Sequence, residues 1–558
     1  MCPFDDPLDL NSQRAQIVAL WHEEQRLRKE HAKLLEQKAR QAAQILRLKQ
    51  ELAAARATKK KHKSERRGRT GHNNPEKGPG ADVPEPAEAK SDNEPQEGHG
   101  PREQPHLELQ PKLFDLDEAD KVCTQCGSAL EEWEEQFQES ILIEVIERRF
   151  VCQLAQQKKY RCRCGACIET APGPEKLIPG GRYALSFAIE VAYDKYMLHS
   201  PLERQAREMT RQGLVIDSQT LWDQTYALAC VLRPAYEAIH RYVLSHGWVA
   251  ADETTWWMMR HKHTPAEQTV GQWYIWIAHR PDAAFYILRP TRDEKPALEL
   301  LSLPTLDAKG QPVLDAEGAA VRTPYRGKVL CDGWWAYKYL AAREPDFVLV
   351  HCWSHVRREA LGCAKGYPQQ TNAWLDLIGE LYAIESRVPA GPENDARRLE
   401  LRRTESVVVL EKLEAWVYQN ALQVPAQSAL RTAIGYMVNP WTGLVRFLDD
   451  PTLPLDNNGV EKDCRQPVLG KRNHYGSRSE RGVMVAEILY TVVQTSKLSC
   501  LEPKTYTRFA ALRQMRGKSV VLPHEVTAEH LREELGLSED EAERALARRR
   551  REPVTPAG

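Results

Sequence analysis

Five strand patterns between residues 248 and 355 restrict the fold of this chain more than any other feature. Three of them, in "WVAADETTWWMMRHK", "VGQWYIWIAHR" and "AAFYILRP", follow one another through short turns, which is typical of an antiparallel meander. Two more, "GKVLCDG" and "DFVLVHCWSH", come after a loop rich in Asp, Gly and Pro. Segments on both sides carry helical patterns, so we expect a multidomain α+β protein.

Two acidic residues occupy strand patterns that look buried. Asp252 follows two alanines in the first strand, and Asp332 ends the fourth strand directly before Gly333. A buried carboxylate is costly unless it is paired or bound to a metal. If the fourth strand lies parallel to the first, as in the ribonuclease-H-like fold, Asp252 and Asp332 lie side by side. The sequence therefore predicts a ribonuclease-H-like mixed α/β core with a cation between these acids. Unrelated structural acids are the alternative.

A third acid, Glu461, lies in "LDNNGVEKDCRQPVLGKRNHYGS", residues 455–477. Presented by a later helix, it would complete a three-carboxylate site. Carboxylate oxygens suit Mg²⁺, and two such ions can activate a water or a 3′-hydroxyl and stabilise the leaving oxygen of an in-line displacement. We expect the cations after Glu461 to contact the approaching nucleic-acid strand. These residues are Lys462, Arg465, Lys471 and Arg472.

The core pattern, residues 248–490, is interrupted by helical patterns over about 370–446, which predict an inserted helical domain. Immediately before the insertion, "HCWSHVRRE" contains His351 and His355, which we place at a strand end and in the following turn. Core packing or DNA contact is favoured for both histidines over metal ligation. Arg357 and Arg358 are better candidates for phosphate contacts.

Two Cys-x-x-Cys pairs predict a zinc ribbon within residues 113–175. Strand-like alternation separates the pairs, and each pair can place two sulfurs on one tight turn, so that four thiolates complete a tetrahedron around one structural Zn²⁺. Reduced, unliganded thiols are the alternative, and Cys162 is a substitute candidate for Cys164. The predicted ligands are Cys123, Cys126, Cys164 and Cys167.

Residues 182–245 read as a helical domain with a helix-turn-helix layout. Leu202 and Ala206 lie in the first helix, Gly213 lies in the turn, and Ser218 is the candidate cap of the second helix. Many all-helical domains share this spacing, so DNA binding is one interpretation of two.

The N-terminal segment predicts self-association. Residues 10–56 contain no Gly or Pro and carry an imperfect heptad pattern that includes Leu27 and Leu34, which favours a coiled coil over a single solvated helix. Residues 57–112 form a linker whose first part is basic and whose second part is rich in Pro, Glu and Gly.

Global properties limit the class of protein. At 558 residues the chain has room for three or four domains. Its formal net charge of −1 means that nucleic-acid contacts must come from local patches. No run of about 18 apolar residues predicts a membrane span, and the acidic N-terminus lacks the order of a signal peptide. We expect a cytoplasmic protein without membrane contact.

These segments together resemble the transposases of the insertion sequence 66 family, nearly end to end. The specific ones are "ADETTW" (251–256), "CDGWWAYKYL" (331–340), "HCWSHVRRE" (351–359) and "DNNGVEKDCRQPVLGKRNHYGS" (456–477). The resemblance implies a catalytic Asp-Asp-Glu triad that binds two Mg²⁺ ions, and it strengthens the helix-turn-helix interpretation. The implied triad is Asp252, Asp332 and Glu461.

The resemblance implies a DNA transposase of a mobile element, associated with the nucleoid, that cleaves element ends and joins their 3′-hydroxyls to target DNA. Expected partners are double-stranded DNA, further copies of the chain through the N-terminal helix, and accessory proteins. Two alternatives stay open: a nuclease that hydrolyses without joining, and a non-catalytic zinc-containing DNA-binding protein. A C-terminal element is predicted over 491–523, and the charged tail over 524–558 has no assigned role.

Overall fold

The computed structural model describes residues 128, 149–161, 168–260, 268–308, 311–316, 318, 320–421, 423–425 and 427–546. The chain divides into two units, Met1–Gln104 and Pro105–Gly558, and every described residue belongs to the second. The predicted coiled coil (10–56) and linker (57–112) lie outside the described residues, so both stay predictions. The same holds for the predicted zinc ligands Cys123, Cys126, Cys164 and Cys167 and for the substitute candidate Cys162.

The described chain begins with a short antiparallel strand pair and three helices. The strands are β1 (Lys159–Arg161) and β2 (Ile168–Thr170), and the helices are α1 (Leu185–Tyr196), α2 (Leu202–Arg211) and α3 (Ser218–Val243). Helices α2 and α3 pack through a small apolar cluster, and Gly213 has a φ of 88° in the turn between them. The predicted cap at Ser218 is wrong. Asp217 caps α3, because its carboxylate accepts the Thr220 N–H at 2.6 Å.

A five-stranded mixed sheet forms the centre of the fold. Its first three strands, β3 (Trp248–Met258), β4 (Gly271–Arg280) and β5 (Ala283–Arg289), form an antiparallel meander. Helix α4 (Glu294–Leu300) and the short pair β6 (Ser302–Pro304) and β7 (Arg322–Pro324) follow. Strands β8 (Gly327–Cys331) and β9 (Phe347–His351) complete the sheet in the order β5-β4-β3-β8-β9.

Strand β8 runs parallel to β3, as the sequence predicted for the fourth strand, and β9 runs parallel to β8. Helix α5 (Trp335–Arg343) connects β8 to β9. Strand β3 lies in the middle of the sheet, and seven of its eleven residues are buried, with Val249 and Ala251 fully covered. The sheet therefore presents its central strands to helices on both faces, as parallel strands require.

Helices fill the chain between the sheet and the third predicted acid. They are α6 (Trp353–Gly362), α7 (Pro368–Ser386), α8 (Asp395–Leu401), α9 (Val407–Ala421), α10 (Ala429–Val438) and α11 (Trp441–Leu444), with a π-helical turn at Arg402–Ser406. This run corresponds closely to the insertion predicted over about 370–446. His355 lies in the first part of α6, so the turn predicted at that position is helical.

The buried side chain of Arg402 ties the inserted helices to the chain that follows them. Its guanidinium donates to both carboxylate oxygens of Glu385 at 2.7 Å, and to the backbone oxygens of Phe447, Asp450 and Leu453 at 2.7 to 2.9 Å. A buried arginine with this many acceptors is fully compensated for its lost hydration. The insertion is therefore fixed against residues 447–453, which lead into the next helix.

The C-terminal helices cover the sheet. They are α12 (Asn458–His474), α13 (Glu480–Leu498), α14 (Pro503–Met515), α15 (Ala528–Leu535) and α16 (Glu539–Leu546). The core boundary predicted at residue 490 falls inside α13. The first part of the charged tail belongs to the fold, because Leu531 and Ala542 are fully buried. None of the helices in the described ranges is long and apolar enough to cross a membrane.

Helix α13 protects the outer edge of the sheet. Alternate backbone N–H groups of β5, at Ala284, Tyr286 and Leu288, donate to side chains of α13. Their acceptors are Thr495, Thr491 and Glu487, which follow one another at one turn of helix. An exposed edge strand can pair with other chains, but here side chains of α13 accept the hydrogen bonds of its backbone N–H groups.

Candidate functional site

Two acidic side chains lie beside each other on adjacent parallel strands, Asp252 within β3 and Asp332 directly after β8. Strands β3 and β8 pair in register up to Ala250 and Leu330. Continuing that register by two residues places Asp252 beside Asp332 on one face of the sheet, because side chains alternate between faces. Asp332 follows the last residue of β8, and its Oδ1 accepts the Trp334 N–H at 2.9 Å. The structure thus brings these two predicted site residues together.

Burial and neighbouring negative charges both raise the pKa of Asp252. Burial raises it most, and the charges of Glu253, Asp332 and Glu461 raise it further. The Glu253 N–H, which donates to Asp252 Oδ1 at 2.8 Å, opposes the rise without cancelling it. The resulting pKa is about 7. Asp252 therefore holds a proton near neutral pH unless positive charge reaches it.

Helix α12 carries Glu461 to the same place. Glu461 lies in the first turn of the helix, and Cys464 lies one turn later on the same face. The Cys464 thiol is 3.9 Å from Asp252 Oδ2. The sequence folds this way locally because the Asp-Asn-Asn-Gly run before the helix forms a turn: the Asp456 carboxylate accepts the Asn458 N–H at 3.1 Å.

A buried hydrogen-bond network fixes α12 against the sheet. The Asp463 carboxylate, 2% exposed, lies 2.6 Å from His279 Nδ1 on β4 and accepts the Gln494 amide N–H at 2.7 Å. A Cβ atom at Gly459 would overlap the His279 ring, so glycine permits this close approach. Sequence reasoning missed these residues, because the pair His279–Asp463 is separated by 184 positions.

The Glu461 carboxylate forms its contacts with side chains of α6. Its Oε1 lies 3.1 Å from an Arg358 guanidinium nitrogen and 3.7 Å from His355 Nε2. Within the residues that the structure describes, no three His, Cys, Asp or Glu side chains converge closely enough to hold a metal ion. The structure therefore places all three predicted acids within electrostatic reach of one another, but it does not close a three-ligand metal set.

Glu253, the residue after Asp252, is a second buried acid that sequence reasoning overlooked. Its side chain is 1% exposed and forms a 2.6 Å ion pair with Arg292 and a 3.0 Å hydrogen bond from the Tyr337 hydroxyl. Arg292 in turn stacks on the Trp334 ring at 3.8 Å. The sequence signal that could have identified Glu253 is the alternation of side chains along β3, which places Glu253 on the opposite face of the sheet from Asp252.

His351 lies between two glycines next to Asp332. A Cβ at Gly333, whose φ is 78°, would come within 3.0 Å of the His351 ring, and one at Gly443 would overlap it. Burial, assisted by the charge of Lys338, lowers the pKa of His351 to about 4. The imidazole is therefore neutral at physiological pH, which agrees with packing rather than charge as its local role.

Comparison with known proteins decides the family. The model of the family described as "Transposase IS66 family" matches residues 180–485. The chain belongs to this family. The match covers α2 and α3, the whole sheet, the helical insertion, α12 and the start of α13.

Curated relatives from Sinorhizobium fredii (strain NBRC 101917 / NGR234) extend over similar lengths. "Uncharacterized protein y4jD" is 26% identical over 414 residues, which are 72% of this chain and 76% of that protein. "Uncharacterized protein y4hP" is 25% identical over 411 residues, or 69% of each chain. The names of these relatives state no activity.

The cations predicted to contact DNA differ in their surroundings in this transposase-family chain. Arg358 pairs with Glu461, as described above. Lys471 donates to the backbone oxygen of Thr255 on β3 at 2.7 Å and to its hydroxyl, so it fastens α12 to the sheet. The other predicted cations are exposed on α6 and α12, the two helices beside the acids. They are Arg357, Lys462, Arg465 and Arg472.

Proposed function

We propose that this member of the IS66 transposase family cleaves the ends of a DNA element and joins their 3′-hydroxyls to target DNA at an Asp-Asp-Glu site. The observation that carries the proposal is the register of β3 and β8, which aligns Asp252 with Asp332, together with the approach of α12 to the same strand end. Glu461 is the third acid of the proposed site.

The strand arrangement supports a ribonuclease-H-like core. An antiparallel meander is followed by two strands parallel to its first strand, in the order β5-β4-β3-β8-β9. Asp252 within β3 and Asp332 at the end of β8 then lie close to a helix that follows a helical insertion. A fold alone does not imply a function, so the proposal depends on the acids and not on the sheet.

The donor set fits Mg²⁺. Three carboxylates supply hard oxygen ligands, and the repulsion that raises the pKa of Asp252 is the charge that a cation would offset. Asp252, Asp332 and Glu461 would hold the metal. When bound, Mg²⁺ supplies activation of the attacking water or 3′-hydroxyl and stabilisation of the leaving oxygen.

Cationic side chains on α6 and α12 suit the site to a polyanion such as DNA. In the present arrangement Arg358 neutralises Glu461, and His355 beside it has a lowered pKa, mainly through burial and then through the Arg358 charge. If Glu461 turns to the aspartates, Arg358 becomes available for a DNA phosphate. Exposed cations on α6 and α12 would hold the strand on either side, and α2 and α3 provide the candidate helix-turn-helix for duplex DNA.

Pre-cut element ends incubated with a supercoiled plasmid and Mg²⁺ test this proposal. Joining gives plasmids with covalently attached ends, whereas a nuclease that only hydrolyses gives nicked plasmid without attached ends. We expect joined products from the wild type and none from Asp252→Asn or Asp332→Asn. Hydrolysis without joining would favour the nuclease alternative, and wild-type protein inactive in both assays would favour a non-catalytic DNA-binding protein.

A further inference from the structure

A cavity of about 430 Å³ lies between the candidate helix-turn-helix and the far end of β3. It is formed by α1, α2, the start of α3, the end of β3 and the loop between α12 and α13. Such a volume is within the range of small-ligand sites. The proposed three-acid chemistry makes no use of it, although its lining includes His474, Gly476 and Ser477 from the end of the specific segment 456–477.

The loop that builds the cavity is held firmly against β3. Ser477 donates its N–H to Trp257 O at 2.9 Å and accepts the Met259 N–H on its own backbone oxygen at 2.8 Å. Gly476 has a φ of 102°, and a Cβ there would overlap Trp257 O. Ser477 Oγ also accepts the Trp256 indole N–H at 3.2 Å. These contacts with β3 account for Gly476 and Ser477, and the three acids take no part in them.

The lining of the cavity carries an excess of cationic side chains. Lys195 and Arg478 both line it, and Glu203 is the carboxylate among its lining residues. Arg478 lies 3.6 Å from Glu203, whereas no described carboxylate lies within ion-pair distance of Lys195. Two cations against one carboxylate leave an excess of about one positive charge, which matches the single charge of a phosphodiester.

The start of helix α13 also lines the cavity, through Ser479 and Gly482. Ser479 caps the helix, because its Oγ accepts the Gly482 N–H at 3.2 Å. The dipole of this 19-residue helix favours an anion near this end. His474 lines the cavity too, but the residue is only 8% exposed and its Nδ1 is covered by protein atoms.

The lining of the cavity also includes apolar side chains. They are Leu202, Trp222, Met259 and Ala486. A partly buried indole offers a surface on which a nucleobase can stack, an interaction that does not depend on base identity. Cationic and aromatic side chains in one cavity suit a ligand that joins one phosphate to one flat ring.

We propose that this cavity binds one unpaired nucleotide of the DNA substrate, with its phosphodiester at Lys195 and Arg478 and its base against Trp222. The inference rests on the proposal that the chain acts on DNA. Trp256 lines the cavity and follows Asp252 by four residues on the same strand, which separates the cavity from the acids by about 13 Å. That distance corresponds to about four nucleotides along one strand of a duplex.

Fluorescence anisotropy of two labelled DNA hairpins at fixed salt tests the inference. One hairpin is fully paired, and the other carries a single unpaired thymidine at its end. EDTA is present, so no metal-dependent cleavage contributes. We expect the wild type to bind the overhang hairpin about tenfold more tightly, since one charge-assisted contact contributes that much or more. Asp252→Asn should keep this preference, which separates it from the catalytic proposal.

Lys195→Met and Arg478→Gln should each abolish the preference while binding of the paired hairpin changes little. Arg478 is exposed, so its replacement leaves the core intact. Lys412→Met, which removes an exposed lysine from the insertion, is the matched control and should keep it. Equal wild-type affinity for both hairpins would overturn the inference, as would Lys195→Met weakening both equally.

A competition experiment separates a nucleotide from any other anion. The dinucleotide of two thymidines, which carries one phosphodiester, should displace the overhang hairpin at a concentration where inorganic phosphate does not. If inorganic phosphate competes as well as the dinucleotide, the cavity is a general anion site and the assignment to a nucleotide is wrong.

Discussion

Replacing Asp252 by asparagine should stabilise the metal-free protein while it removes activity. The structure raises the pKa of Asp252 from an ordinary 3.8 to about 7, mainly through burial and then through the neighbouring acids. The folded state therefore binds a proton that the unfolded state has released, so folding stability falls as the pH rises from about 4 to about 7. Asparagine has no proton to lose and escapes this penalty.

The size of the effect follows from the shift. A rise of about three pKa units corresponds to about 4 kcal/mol at a pH well above 7, and partial solvent access to Asp252 reduces the expected gain to about 2 kcal/mol. For a chain of this size we expect the melting temperature of Asp252→Asn at pH 8 to exceed that of the wild type by about 2 to 4 °C. The advantage should be smaller at pH 5.5.

Differential scanning fluorimetry at pH 5.5 and pH 8, with and without Mg²⁺, measures this. Mg²⁺ should raise the melting temperature of the wild type at pH 8 and leave Asp252→Asn nearly unchanged, because the variant lacks one of the three proposed metal ligands. Asp376→Asn, at an exposed position on α7, is the control and should follow the wild type. An Asp252→Asn protein that is less stable than the wild type at both pH values would refute the electrostatic reasoning.

Three further predictions concern the support of the site and the undescribed segments. Asp463→Asn should lower the melting temperature by several degrees and reduce strand joining, because His279 or Gln494 loses its carboxylate partner. A melting temperature equal to that of Asp376→Asn would contradict this. Purified protein should contain about one zinc that Cys126→Ser loses, and zinc-free wild type after refolding with excess metal would disprove the ribbon. Charged residues at both Leu27 and Leu34 should reduce the oligomer mass in light scattering, and an unchanged mass would exclude the coiled coil.

The parts of the fold that could be predicted are those whose signal is local. Alternation of apolar residues identified β3, β4 and β5, and short turns implied their antiparallel order. The two aspartates stood out because an acid in an apolar strand needs a compensating partner. Their alignment followed once the fourth strand was placed parallel to the first, and the observed register supports it.

The parts that could not be predicted depend on contacts between distant residues. Nothing near His279 in the sequence indicates Asp463, yet that buried pair holds α12 in place. The partner of Glu461 was equally hidden: Arg358 was predicted to contact phosphate, whereas its observed contact is the carboxylate itself. Sequence spacing also chose Ser218 over Asp217 as a helix cap, because both residue types cap helices and only the backbone geometry distinguishes them.

The cavity beside α2 illustrates the same limit. Its residues come from five separate segments, and only the fold shows that Lys195 and Arg478 face one space. The specific segment 456–477 ends in this loop, but the sequence offers no reason for Gly476, whose role depends on the contact of the loop with Trp257.

The most direct test of the Asp-Asp-Glu account compares Glu461→Gln with Glu480→Gln in Mg²⁺-dependent strand joining. Glutamine keeps the size of glutamate and removes its charge. Glu480 is an exposed residue at the start of α13, 19 positions later in the chain, and serves as the matched control. We predict that Glu461→Gln binds DNA normally but joins ends about a thousandfold more slowly or worse, while Glu480→Gln joins them at nearly the wild-type rate. Near-normal joining by Glu461→Gln, with or without loss of activity in Glu480→Gln, would contradict the account.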